Sequence, residues 1–259
     1  MIKKILTLIF CLFTMPVFAA VSYNADANCI GSWAMTSGST ETDLCGGGTT
    51  LTESASDDIP TSADTPNIHH KTTSRDFEKG DTEALDAADG GETDINGANQ
   101  AMSIVAWVKP ETIDSNHVIV TKYLTTGNQR QYEFRFDSAG ALICSLSGDG
   151  TNITQAQTAN GVVTTGVWYH VACVSNDTDI RIYLDGVLSS NGASNPITYT
   201  AGLFDGTAAF YVGGRTAASS LLDGKLYDVG LFNDALTADE VFEIYSHGMS
   251  GTAKRRIIQ

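Results

Sequence analysis

The predicted loops of this chain repeatedly combine an aromatic ring with amides and charged neighbours. Tyr123-Leu-Thr-Thr-Gly-Asn128-Gln129-Arg130 holds both, and Asn191, Asn195 and Tyr199 fall close together further on. A ring face can meet the apolar face of a pyranose while Asn, Gln and their polar neighbours bond its hydroxyls, so these residue types permit sugar binding without requiring it. Asn and Gly also build turns, which gives each residue a plain structural role beside the binding one. Covalent chemistry has less to draw on. The chain contains no G-x-S-x-G, P-loop or H-E-x-x-H pattern. His69-His70 sits on a Pro-containing loop without a geometric partner, and Glu133 is the one acidic residue on a cleanly alternating strand.

Recognition loops need a rigid frame to hold them. From Ser103 onward, strand signals follow one another at short intervals. Gln131 to Phe136 alternates polar and apolar, Asp137-Ser-Ala-Gly140 turns, and Ala141 to Ser147 returns. Thr165 to Val174 and Ile180 to Gly186 flank a turn at Asn176 to Asp179, and Thr207 to Gly213 and Lys225 to Phe232 supply the last strands. Such spacing predicts a two-sheet β sandwich whose core comes from alternate residues of each strand. A single helix closes the chain: Thr237 and Glu240 form a capping box, and Gly248 ends it. Residues 49–74, rich in Thr, Ser, Asp and Pro, read as a long loop inside the domain, because the Trp33 strand before them needs partners that come after them.

Six segments in register resemble laminin G-like domains of the concanavalin A-like lectin and glucanase superfamily. They are the Trp168-Tyr-His170-Val-Ala strand with its Ile182-Tyr-Leu-Asp185-Gly186 partner, Asn28 to Met35, Phe77 to Leu85, Met102 to Pro110, Leu222 to Phe232, and the helix from Ala235 to Tyr245. The resemblance implies an all-β, concanavalin A-like jelly-roll sandwich of two antiparallel sheets with one short C-terminal helix. It places Trp33, Trp107 and Trp168 on core strands and His170 in a packing role. It also implies a calcium ion between Asp81 and Asp228, with Asp43 as a weaker third ligand. Glu78, Lys79 and Tyr227 depart from the family's acidic pattern there, and two turn-capping aspartates are the competing reading. The catalytic E-x-D-x-x-E strand of the glucanase branch finds only Glu92-Thr-Asp94-Ile-Asn-Gly97, which lacks the last acid and lies among glycines. By the same resemblance, Cys29 closes the opening strand and Cys45 sits in the turn returning beside it, so the two are expected to pair. Cys144 and Cys173 fall at inward strand positions, either bridged or as buried free thiols.

Residues 1–20 read as a signal peptide: Lys3 and Lys4, an apolar run from Ile5 to Phe13, then a small-residue cleavage site at Ala19-Ala20. The run is too short to span a bilayer, and no later stretch qualifies. Loss of Lys3 and Lys4 with the leader takes the formal charge from −15 to −17. So acidic a chain is a poor partner for nucleic acid, whose binding depends on Lys and Arg. The expected organisation is a leader over 1–20, a jelly-roll domain over 21–250 and a basic tail over 251–259. The expected function is a secreted or periplasmic, non-catalytic module that binds carbohydrate or cell-surface glycan, with calcium as a structural cofactor. A module binding protein in a surface assembly is the alternative. A polysaccharide hydrolase or lyase, with Glu133 as the first acid to test, is the third reading.

Overall fold

Alternation of apolar and polar residues divides most strands into an inner and an outer face, and two sheets bury their inner faces against each other. The computed structural model describes residues 20–54, 58–67, 72–98, 100–190, 192, 194–249 and 253–254. The leader up to residue 19, His69, His70, Asn191 and most of the basic tail lie outside the described residues. One sheet runs, edge to edge, through Val187–Leu188, Asp179–Leu184, Tyr169–Ser175, Met102–Pro110, Gly224–Phe232, Ser74–Phe77 and Thr61–Ser62. Cys29–Trp33 pairs with the second half of Gly224–Phe232, and Ile197–Thr198 with Asp179–Leu184, giving nine strands among the described residues. The other sheet has eight: Thr154–Gln157, Leu142–Leu146, Gln129–Phe136, His117–Leu124, Phe210–Val212, Leu85–Ala87, Leu51–Glu53 and Thr40–Glu41. All of these pairings are antiparallel. The expected jelly-roll sandwich is therefore the architecture found, and the Trp33 strand is an integral part of it.

Between the sheets lie Trp33, Phe77, Tyr132, Phe134, Phe210 and their aliphatic neighbours, all fully buried. Trp33 folds back over Gly31, where a Cβ would stand 2.3 Å from the indole, so only glycine leaves room for the ring. A second apolar cluster forms on the outside of the nine-stranded sheet, where Val105, Ala172 and Val174 meet Val241 and Ile244 of the helix Ala238–His247. The capping box of that helix is formed as the sequence predicts: Thr237 accepts from the Glu240 amide and Glu240 from the Thr237 amide.

The three tryptophans divide their roles. Trp33 is core; Trp107 stacks under the helix against Tyr245, 5.6 Å between ring centroids, with His170 at its edge. Trp168 is half-buried and donates its indole N–H to Asp64 over 3.0 Å. The segment Phe77 to Leu85 is not one strand. Ser74–Phe77 ends in the nine-stranded sheet, a short 3-10 turn at Lys79–Asp81 leads into Thr82 at φ 62°, and the chain crosses over to enter the eight-stranded sheet at Leu85. Two disulfides are present, Cys29 with Cys45 and Cys144 with Cys173; the second joins one sheet to the other.

Candidate functional site

Strand register brings together what the sequence scatters. Inner positions of the eight-stranded sheet are taken by Leu51, Leu85, Phe210, Val120, Phe134, Cys144 and Ala156, so the residues one step away point out. Read across the paired strands, the residues of that outer parity form one row: Thr40, Thr52, Asp86, Tyr211, Thr121, Glu133, Ser145 and Gln155, of which Thr121, Glu133 and Ser145 are buried beneath neighbouring side chains. Every member carries a hydroxyl, an amide or a carboxylate. At a strand spacing of ~4.8 Å the row is about 34 Å long, the length of a run of several sugar rings.

Arg215 organises the middle of the row. Its Nε and Nη2 donate to the two oxygens of Glu133 at 2.6 and 2.8 Å, and Arg135 Nε donates to the same carboxylate at 3.1 Å. Hydrogen bonding to Glu133 holds the Arg215 guanidinium above its usual pKa. Tyr123 lies beside it, its ring 5.3 Å from the Arg215 guanidinium carbon and 5.8 Å from that of Arg130. Leu124, Ala208, Ala209, Tyr211 and Thr216 complete a depression of about 110 Å³ there. The half-exposed ring on this face is Tyr211. Burial, then the neighbouring Asp86 charge, pushes its phenol pKa up, and burial pushes Asp86 up as well.

The loop residues singled out in the sequence divide into two groups. Tyr123, Asn128, Gln129 and Arg130 border the row. Gln129 Oε1 accepts from the Thr207 amide at 2.7 Å, and Arg130 Nη1 donates to Asn128 Oδ1 and to the Gly150 and Thr151 carbonyls. Asn195 and Tyr199 belong to the other sheet's edge and serve the backbone. Asn195 bonds both the amide and the carbonyl of Ile182 at 2.9 Å, and the Tyr199 hydroxyl donates to the Gly202 carbonyl. Asn side chains that find backbone partners this way are spent on the fold. Tyr199 does line a depression of about 200 Å³ with Asp149, Asn152 and Thr154.

Asp81 and Asp228 do not meet. Phe77 lies opposite Gly224 in an antiparallel pair, so the chain runs from there to Asp81 and to Asp228 in opposite directions. Asp228 is buried and accepts the Met249 amide at 3.0 Å, while Asp43 accepts the amides of Ser32, Cys45 and Gly48. Among the described residues, the acidic trio whose oxygens do converge within 4.8 Å is Asp76, Glu78 and Glu111. Lys225 Nζ already stands among them, bonded to Asp76 at 2.7 Å and to Glu111. An ammonium at that place fills the role of a cation, so these residues do not fit a calcium ion.

The same acidic edge carries a pH-sensitive group. Glu83, 2% exposed, is pushed up from 4.5 to about 7 by burial first, with the charges of Asp81, Glu78 and Asp76 adding to it against the Glu78 amide. The folded chain then holds this proton more tightly than the unfolded chain does. The stabilisation is complete below about pH 4.5 and is lost as pH rises through about 7. Allowing for solvent screening, we expect stability to fall by about 2 kcal/mol between pH 5 and 8 from this group. Glu83→Gln should flatten that slope in urea melts, and an unchanged slope in the variant would refute the assignment.

Asp94, the remaining candidate of the glucanase-like pattern, lies 3.6 Å from Lys122, away from the row. The sequence reading missed Tyr211, Arg215 and Asp86. Its one signal was the polar parity of Gln131, Glu133 and Arg135 on a strand whose other face is aromatic.

A comparison with curated protein sequences gives no match. Among solved structures, the binding domain of botulinum neurotoxin serotype G superposes with a TM-score of 0.64 at 12% identity, over 84% of this chain and 50% of that one. Domain 4 of AbnA, a GH43 extracellular arabinanase from Geobacillus stearothermophilus, solved in complex with arabinotriose, gives 0.58 at 15% identity over 84% of this chain and 98% of that one. The serotype D neurotoxin ligand binding domain, solved with N-acetylneuraminic acid, gives 0.56 at 12% over 86% and 51%. At such identities the likeness is one of fold, and this chain spans about half the length of the neurotoxin domains it matches. With two β layers, one closing helix and a family profile that matches residues 80–242, the chain belongs to the laminin G-type family of the concanavalin A-like lectin/glucanases superfamily.

Proposed function

We propose that this chain is an exported, non-catalytic carbohydrate-binding module that takes its glycan along the outer face of the eight-stranded sheet. The observation that carries the reading is the polar row from Thr40 to Gln155, which reaches solvent at Thr40, Thr52, Asp86, Tyr211 and Gln155, with the Tyr211 ring near its centre. Hydroxyls, amides and carboxylates bond sugar hydroxyls, and a half-exposed ring stacks on a pyranose face. Tyr123, Asn128, Gln129 and Arg130 form the rim of the same face. Fold neighbours solved with arabinotriose and with N-acetylneuraminic acid support the class of ligand. Export is supported by the leader-like first twenty residues and the two disulfides. No helix among the described residues is long and apolar enough to cross a membrane.

Geometry speaks against hydrolysis at this face. Glycosidases place two carboxyl groups ~5–9.5 Å apart across the bond they break. Along the row Glu133 and Asp86 are separated by Thr121 and Tyr211, three strand spacings or about 14 Å. Both oxygens of Glu133 are engaged by guanidinium N–H groups. The converging acidic trio found among the described residues, Asp76, Glu78 and Glu111, does not belong to the row, so binding is expected to survive chelation.

Affinity electrophoresis and a glycan array, run with calcium and with chelator, test the reading. Retention by at least one polysaccharide is expected under both conditions. Tyr211→Ala should weaken it by about tenfold, the loss of one stacking contact. Silence across all glycans would shift the assignment to a protein partner. Release of product that stops in Glu133→Gln would make the chain an enzyme.

A further inference from the structure

The glycan-binding face is built with arginine in a chain that is otherwise strongly acidic. The formal charge is −15, yet of the five arginines in the described residues three, Arg130, Arg135 and Arg215, border or lie on the outer face of the eight-stranded sheet. Resting on the carbohydrate-binding reading above, we infer that the ligand is an anionic glycan, a sugar chain bearing carboxylate or sulfate groups.

Each guanidinium is anchored on one edge and presents another. Arg215 spends Nε and Nη2 on Glu133, and its Nη1 donates to none of the described residues. Arg135 uses Nε on Glu133 and Nη1 on Asn116 Oδ1 at 2.7 Å, and its Nη2 has no partner among the described residues. Arg130 uses Nη1 on loop oxygens, and its Nε and Nη2 have no partner among the described residues. Held forks of this kind lose little rotamer freedom on binding, and their planar N–H pairs match carboxylate and sulfate oxygens better than single hydroxyls. A fold that needed only to satisfy Glu133 would do so with Arg215 alone, whose two bonds already engage both oxygens. Neutral sugars are served by the amides and hydroxyls of the row, so they do not account for three cations on one face. Three guanidiniums stand on this face against the two row carboxylates Glu133 and Asp86, while the chain as a whole carries −15, so an anion meets less repulsion here than over the rest of the molecule.

Polygalacturonate against its fully methyl-esterified form tests the carboxylate, and chondroitin sulfate against the desulfated chain tests the sulfate. Binding is read by affinity electrophoresis and isothermal titration. At least one acidic chain is expected to bind tenfold or more tightly than its neutral counterpart, and to weaken steeply when salt rises from about 50 to about 500 mM. Arg215→Gln and Arg130→Gln, with native far-UV circular dichroism, should bring the acidic-to-neutral ratio toward one. Arg215→Lys should keep the salt dependence while losing part of the affinity, since charge remains and the fork does not. Equal binding of both members in both pairs, or ratios unmoved by the arginine variants, would overturn the anionic assignment while leaving a lectin. Absence of binding to any glycan, acidic or neutral, would instead remove the carbohydrate reading itself.

Discussion

Replacing Arg75 by methionine should cost about 4 kcal/mol of stability at neutral pH, within the range found when one partner of a buried ion pair is removed. Arg75 is fully buried at the end of the sandwich. Its Nη2 meets Glu53 Oε1 at 2.9 Å, its Nε lies 3.6 Å from Glu41 Oε1, and its Nη1 donates to the carbonyls of Ile59 and Ser37. One guanidinium thus fastens Ser37, Glu41, Glu53 and Ile59 to the nine-stranded sheet. Methionine fills the space but leaves Glu41, 2% exposed, facing a low dielectric without a cation. Burial already pushes Glu41 upward, against the pull of the Ser37 amide and of Arg75 itself. Without Arg75 its pKa rises further, so the folded variant takes up a proton that the unfolded one does not, and the deficit shrinks as pH is lowered. Urea melts of both proteins at pH 7.5 and pH 5 check this. A deficit under 1 kcal/mol, or one that grows in acid, would show that the carboxylates are not buried against Arg75.

That ion cluster and the polar row show what a sequence carries and what it withholds. Strands were legible wherever alternation was clean, as in Gln131 to Phe136 or Ile180 to Leu184, because a period of two is a local property. The capping box at Thr237 and Glu240 was legible for the same reason. Arg75 had a local signal as well: Phe77 two residues on is apolar, and parity puts both on the inner face. What it pairs with was not legible, since Glu41 and Glu53 lie on separate strands of the other sheet. The row is the extreme case. Its eight members come from eight strands, and only register aligns Thr52 with Asp86, Asp86 with Tyr211 and Tyr211 with Thr121. Loops supply the amides and rings that sugar binding uses. Asn195 carries such an amide, yet it closes on the Ile182 backbone, a use of Asn that spacing alone does not distinguish from binding.

Removal of the inter-sheet disulfide should have an effect of the same size by a different route. Cys144 pairs with Phe134 and Ala156 in the eight-stranded sheet, Cys173 with Ile104 and Ile182 in the nine-stranded one, and both are fully buried. The bridge closes a separation of 29 residues. Loop-closure entropy for that length amounts to ~3.5 kcal/mol, and the double alanine variant also gives up packing in the core, so ~4–5 kcal/mol is expected in total. Cys29–Cys45 closes only 16 residues, and Cys45 is half-exposed beside the helix cluster. Thiol–disulfide exchange requires a thiolate to reach sulfur, so mild reductant should open Cys29–Cys45 while the sandwich stays folded. Cys144–Cys173 should yield only when the two sheets separate, at the rate of global unfolding. Alkylation of native protein under reductant, followed by mass spectrometry, reads the order directly. If Cys144 and Cys173 are labelled first, or if their double alanine variant melts like the wild type, the two layers are held together without this bridge and the shared apolar core alone sustains the fold.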